Sequence, residues 1–366
     1  MKSRDFRSTA SAIVLPLILA ACGAGDDSGT TASSPVTVVS PAPAPTPSST
    51  PTPTAIAAPA PSPSPTPTPS AIAPSLASSW SNVTNLFSVQ PDVPNCKTGT
   101  LKQAVRDDVL ARLNAIRALH RLPAVSYAGA DDEQTMQSSL MMAANAQLNH
   151  TPPNTWKCWS QTGYDGSSSS NLYGGTVSPY LVYSTEDDFL AGWLTEVNNL
   201  IADNVGHRRW MLDPFLGKIS YGRVAQVLSD GSRTDAATLK VFSFTGGVAT
   251  PGGIPDYVAY PYGDYPAKYF DTRALLSFSV LASKTTRGGA NASVDFSKAT
   301  ITVTNAAGTS LAVSGSSFDN IGYGVSNNLQ WKVAGLAANT SYTVTIANVI
   351  VGGAAQTYTY PFRIVG

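Results

Sequence analysis

The stretch GHRRWMLDP, Gly206 to Pro214, holds one of only three histidines in a chain of 366 residues. A second histidine, His150, closes the stretch ANAQLNH, Ala144 to His150. Between them lies GWLTE, Gly192 to Glu196, with a single carboxylate at its end. Two imidazoles and a carboxylate are the usual ingredients of a metal site or an acid/base site. The fold around these three stretches decides whether His150, Glu196 and His207 meet.

Working outward, Leu101 to His120 places Leu101, Val105, Val109, Leu113 and Ile116 at helical spacing. Leu122-Pro123 stops that helix. His120 and Arg121 at its end suit the negative end of the helix dipole, which predicts a structural role for His120. Asp131 to Asn149 reads as a second helix that leads directly to His150. Asp131, Asp132 and Glu133 lie in its first turn, and Met136, Leu140, Ala143, Ala144 and Leu148 form its apolar face. Thr151 to Ser178 reads as a loop rich in Pro, Gly and Ser. A third helix then begins at the acidic, capped Ser184-Thr185-Glu186-Asp187-Asp188, with Phe189, Trp193, Leu194 and Val197 on one face. KISYGRVAQVL and TLKVFSF read as strands joined by a turn at Ser229 to Ser232. Helices first and a short meander after them predict an α+β arrangement.

From about residue 271 the pattern becomes short strands of alternating polarity. Leu329, Trp331 and Val333 share one face, and Tyr342, Val344 and Ile346 another. The expectation is an all-β sandwich, and GLAANTSYTVTI, Gly335 to Ile346, resembles the F-strand region of immunoglobulin-like or fibronectin-like modules. No catalytic constellation is visible there, so a spacer or binding module is expected.

The other end of the chain is not globular in composition. Lys2, Arg4 and Arg7 precede a short apolar run that ends in Leu19-Ala20-Ala21-Cys22. The run is too short to span a bilayer and reads as a secretory signal. Its end resembles the bacterial lipoprotein lipobox, which implies lipidation of Cys22 and a membrane-anchored, extracytoplasmic protein. Gly23 after the cysteine favours the outer membrane in a Gram-negative organism. Residues 33–74 are mostly Pro, Thr, Ser and Ala, a composition that cannot bury a core. At ~3.1 Å per residue such a tether reaches on the order of 100 Å. The expected organisation is therefore a signal at 1–21, a tether at 22–79, a first folded domain at 80–270 and the β-module at 271–366.

Basic and acidic residues balance at 23 each, and at 20 and 22 without the leader. No basic stripe stands out, so nucleic acid is not an expected partner. Cys96 and Cys158 remain after the leader, and an oxidising compartment permits a disulfide between them. Trp156 and Trp159 flank Cys158 and either pack around that bridge or grip a glycan or lipid.

Five pieces in this order resemble the CAP superfamily, which groups cysteine-rich secretory proteins, antigen 5 and pathogenesis-related 1 proteins, in its bacterial branch. They are VLARLNAIRALHRLPAVSY from Val109, the helix leading to His150, SSNLYGG from Ser169, WLTE from Trp193 and GHRRWMLDP from Gly206. The resemblance implies a three-layer α-β-α sandwich with an antiparallel sheet. It also implies a cleft of two histidines and two glutamates, whose histidines bind zinc in some members. His150 and His207 correspond to the histidines and Glu196 to one glutamate. The other glutamate belongs to a Gly-Glu-Asn-Leu motif that here reads Ser169-Ser170-Asn171-Leu172, so Ser170 stands in its place.

Three functions follow as expectations. One is a cleft, lined by His150, Ser170, Glu196 and His207, that binds a small ligand, a lipid, a metal or an envelope partner. Another is hydrolysis, through zinc on His150 and His207 or through Ser170 as nucleophile, with the serine-rich run arguing for a flexible loop. The third is a purely structural or adhesive surface protein, in which Glu196 merely orients a histidine. Arg208 and Arg209 are expected in surface or sheet-capping ion pairs, and Trp210 in the core.

Overall fold

A computed structural model describes residues 80–199, 204–244 and 253–366, all within one compact unit. The signal-like run, Cys22 and the proline-rich tract lie outside the described residues. Among the described residues, no helix is long and apolar enough to cross a membrane.

The first domain opens with a short helix α1 (Trp80–Thr84) and a two-stranded ribbon of β1 (Phe87–Val89) and β2 (Thr100–Leu101). Helix α2 (Gln103–Leu119) buries Val109, Leu113 and Ile116, the face its spacing predicts. Asn114 on α2 donates to Val125 O at 2.9 Å and accepts from Val125 N at 2.8 Å. That clamp sets the entry into β3 (Ser126–Tyr127). Helix α3 (Asp132–Asn145) ends four residues before the expected Asn149, because Ala146 turns into the left-handed region at φ 47°. His150 therefore lies in a loop beyond the helix. Cys96 and Cys158 form the expected disulfide. Trp156 packs against the core beside it, and Trp159 donates its indole N–H to Pro152 O.

The expected loop at 151–178 contains structure. Helix α4 (Gln161–Ser168) is capped by Ser160, which accepts from Gly163 N. Strand β4 (Ser170–Tyr173) follows at once. Helix α5 (Glu186–Thr195) carries the predicted capped start: Thr185 and Asp188 form a reciprocal capping box. Helix α6 (Gly206–Met211) comes next, then β5 (Lys218–Val227) and β6 (Arg233–Lys240). The sheet order is β3-β5-β6-β4, with β3 parallel to β5 and the other pairs antiparallel.

Alternation along β5 puts a helix on each face. Even-numbered residues meet α3: Thr135 bonds Ser220, and Ser139 donates to Gly222 O at 3.0 Å. A Cβ at Gly222 would fall 2.3 Å from the Thr135 carbonyl carbon, so only glycine lets α3 approach. Odd-numbered residues meet α5: Arg223 pairs with Glu186 at 2.8 Å and with Asp235 at 2.8 Å, under the Phe189 ring.

The C-terminal region is all β, as expected. One sheet has the order β11-β12-β9-β7 and the other β10-β13-β14-β8. The strands are β7 (Tyr257–Tyr260), β8 (Gly263–Pro266), β9 (Leu276–Val280), β10 (Thr300–Asn305), β11 (Val313–Asp319), β12 (Asn328–Val333), β13 (Ser341–Val351) and β14 (Ala354–Val365). Phe278 of one sheet stacks on Tyr360 of the other with centroids 6.1 Å apart, and Trp331 is fully buried. Tyr342 accepts a hydrogen bond from Ala337 N at 2.8 Å, the corner contact of immunoglobulin-like modules. The module takes in β7 and β8, ahead of residue 271.

His120 does not act as a charge at a helix end. It is buried, its Nδ1 lies 2.8 Å from Ala259 O, and its Nε2 lies 3.1 Å from the Tyr265 hydroxyl. Burial pushes its pKa down to about 3, so the ring is neutral and joins α2 to the β-module.

Candidate functional site

His150 and His207 are tied to one short piece of backbone. His150 Nδ1 lies 3.0 Å from Ser167 O at the end of α4. Asn171 on β4 donates its amide to His207 O at 3.0 Å. Residues 167–171 thus hold a histidine at each end, with Ser170 between them. Proximity to His207 lowers the pKa of His150, an effect that adds to the larger one of desolvation around the His150 ring. The hydrogen bond to Ser167 O works in the opposite direction, and the net shift is downward.

Glu196 is the hub on the other side. It caps α5 at φ 63°, a left-handed conformation that is strained for glutamate. Val205, the residue that starts α6, is left-handed as well at φ 45°, a sharper outlier for a β-branched side chain. Two non-glycine residues held this way bracket the segment that delivers His207. Glu196 Oε1 accepts from Arg208 N at 3.0 Å. Its Oε2 accepts from Asn199 Nδ2 at 2.7 Å and faces His207 Nδ1 at 3.0 Å.

These contacts set the tautomers. A carbonyl oxygen only accepts, so the His150 proton sits on Nδ1. The Glu196 carboxylate accepts likewise, so the His207 proton also sits on Nδ1. Each ring then keeps an unprotonated Nε2. No hydrogen bond to either Nε2 occurs among the described residues. A histidine anchored at one nitrogen by an oxygen, with a lone pair at the other, has the arrangement of a metal-ligating or ligand-binding imidazole.

Among the described residues, no group of three or more His, Cys, Asp or Glu side chains is arranged to hold a metal ion. Glu196 uses both oxygens inside the protein, so it orients His207 and is not a third ligand. The donor set is two imidazoles, with the remaining positions left to water or ligand atoms.

Ser170 does not sit in a flexible loop. It opens β4 opposite Lys240 and is only 4% exposed. Its Oγ and the Oδ1 of Asn171 are buried polar atoms without a hydrogen-bond partner among the described residues. A nucleophilic serine needs its base within hydrogen-bond reach, and Ser170 Oγ has none. Ser167, Asn199 and the backbone of Arg208 leave no motif in the sequence, because chain geometry sets their roles; Asn171 was visible only as part of the Ser169–Leu172 motif, without its bond to His207 O. Arg208 and Arg209 are almost fully buried, where a surface or sheet-capping position was expected, and Arg209 makes its ion pair with Asp319. Trp210 is half-buried and packs against the core beside the Phe242 and Phe244 rings.

A groove of about 770 Å³ lies elsewhere, lined by Trp80, Phe87, Val93, Lys157, Gln226 and Leu228 among others, and none of the histidine-site residues borders it. No curated protein matches the chain. Residues 110–226, which include His150, Ser170, Glu196 and His207, match the family model described as CAP, the cysteine-rich secretory protein family.

Proposed function

We propose that this is an extracytoplasmic bacterial lipoprotein whose CAP domain binds a small ligand or a divalent metal between His150 and His207, without turnover. The observation that carries the reading is the pair of Nδ1-anchored rings, whose Nε2 atoms take no hydrogen bond among the described residues. The helices on both faces of the β3-β5-β6-β4 sheet support the three-layer sandwich that the resemblance implies. Zinc fits as an exchangeable guest: His150 and His207 would hold it, and Glu196 would orient His207 from behind. Zinc supplies Lewis acidity when bound. The residues themselves provide two imidazoles, each anchored at Nδ1, in a partly covered setting.

Titration calorimetry with zinc tests this directly. We expect binding by the intact protein and its loss in both His150→Ala and His207→Ala. Absence of binding, or equal binding in both variants, overturns the metal reading. Membrane attachment rests on Leu19-Ala20-Ala21-Cys22, and palmitate labelling that survives Cys22→Ser would exclude it. Hydrolysis through Ser170 has less support, because the buried Oγ has no base beside it. The purely structural reading is favoured by one observation, the full use of both Glu196 oxygens.

A further inference from the structure

The β-module is docked on the first domain through α6, the same helix that carries His207. Arg208 is the centre of this junction. Its guanidinium is 1% exposed and makes four hydrogen bonds. Two go back to the end of α5: Nε donates to Leu194 O at 2.6 Å and Nη2 to Thr195 O at 3.1 Å. Thr195 immediately precedes Glu196. The other two cross to the β-module: Nη1 donates to Leu275 O at 2.7 Å and to Ser277 Oγ at 3.0 Å. The guanidinium carbon also lies 3.7 Å from the centroid of the Tyr260 ring on β7. Meanwhile the backbone N–H of Arg208 binds Glu196 Oε1. One residue therefore touches the carboxylate that orients His207, the backbone that carries that carboxylate, and two strands of the neighbouring module.

Its neighbour grips the same module without touching the site. Arg209 Nη1 lies 2.9 Å from both oxygens of Asp319, and Nη2 donates to Val325 O at 3.0 Å. This gives two adjacent arginines, both anchored in the β-module, of which only one reaches Glu196.

We infer that Arg208 is a positioning residue that makes the β-module a working half of the histidine site. The planar guanidinium holds strand β9 and the end of α5 in one register, which fixes the Glu196 carboxylate against His207 Nδ1. The β-module is then neither a spacer nor an independent binding unit. A displacement at β7 or β9 reaches His207 through Arg208. This inference rests on the reading of the histidine pair as a binding site, and it extends that site to residues 260–277.

The test uses the full chain and two readouts, the ¹⁵N shifts of the His207 ring and zinc affinity. Ser277→Ala removes one Arg208 bond from the β-module side. Tyr260→Leu removes the ring contact, and Arg208→Met removes the whole bridge. Asp319→Ala releases Arg209 and serves as the comparison. We expect Ser277→Ala and Tyr260→Leu to move the His207 ring shifts and to weaken zinc binding on the order of fivefold, the effect of one net hydrogen bond. We expect Asp319→Ala to lower thermal stability and leave the His207 shifts in place. If Arg208→Met fails to fold, the two β-module variants decide. The inference is overturned if their His207 spectra superimpose on the unaltered protein, or if Asp319→Ala moves those shifts equally. If the intact protein binds no zinc, the binding proposal fails, and the ring shifts still decide the positioning role.

Discussion

The seam between the first domain and the β-module uses histidine differently from the site. At the seam, His120 has both ring nitrogens engaged, one at Ala259 O and one at the Tyr265 hydroxyl. At the site, His150 and His207 each have one nitrogen engaged, at Ser167 O and at Glu196. The seam ring is fully buried with a pKa pushed down to about 3, whereas His207 keeps about a fifth of its side chain in solvent. A histidine with no spare nitrogen serves the fold. A histidine with one spare nitrogen, held at a fixed tautomer, is available to something outside it. The seam is also rich in charge: Arg208, Arg209 and the Arg287–Asp213 pair at 2.6 Å all cross it or border it.

The largest effect should come from closing space at the seam. Gly324 has φ +62°, and a Cβ there would fall 2.2 Å from the Arg209 carbonyl. Gly324→Ala is expected to cost about 3 to 4 kcal/mol in urea unfolding, through overpacking and a strained backbone. A loss below about 1 kcal/mol would show that the seam yields easily. Acid comes next. In the unfolded chain His120 takes up a proton as pH falls through about 6.5, while the folded ring resists until about 3. The folded pKa is the lower one, so this contribution to stability is complete above pH 6.5 and is lost as pH falls toward 3. The protein should lose about 2 to 3 kcal/mol from this ring between pH 7 and 4.5. His120→Gln should remove that part of the slope, and an unchanged slope would refute the assignment. His150 adds a smaller loss of the same sign.

Substitutions at the site should cost less stability and more binding. Glu196→Gln puts an amide where three donors point, so about 1 to 2 kcal/mol is expected, along with a change in the His207 ring signals. His150→Ala is expected to cost under about 1 kcal/mol, because the residue lies at the surface with only its ring partly covered, and water can replace its bond to Ser167 O, while zinc binding disappears. A large stability loss with unchanged binding would place His150 with His120 as a structural residue.

Local chemistry was the most legible part of the sequence. The α5 start was readable from Thr185 and Asp188, because a capping box lies within four residues. The α2 face was readable from its spacing. The early end of α3 was not, because the turn falls on an alanine in place of a glycine. The serine run looked like loop, yet Ser167 is buried against Ser138 on α3, 29 residues earlier, and Ser170 pairs with Lys240 on β6, some seventy residues further on. Arg208 and Arg209 looked superficial because their anchors lie 67 and 110 residues away. The four candidate positions came from motif order, and the orienting contacts around them came only from the fold.

The central claim is that both site histidines present an unprotonated Nε2. Long-range ¹H–¹⁵N correlation spectra of the imidazoles at neutral pH test it most directly. The account predicts the Nδ1–H tautomer for His150 and His207, with zinc shifting both Nε2 signals and leaving His120 unmoved. An Nε2–H tautomer at either ring, or zinc-insensitive signals at both, would contradict it.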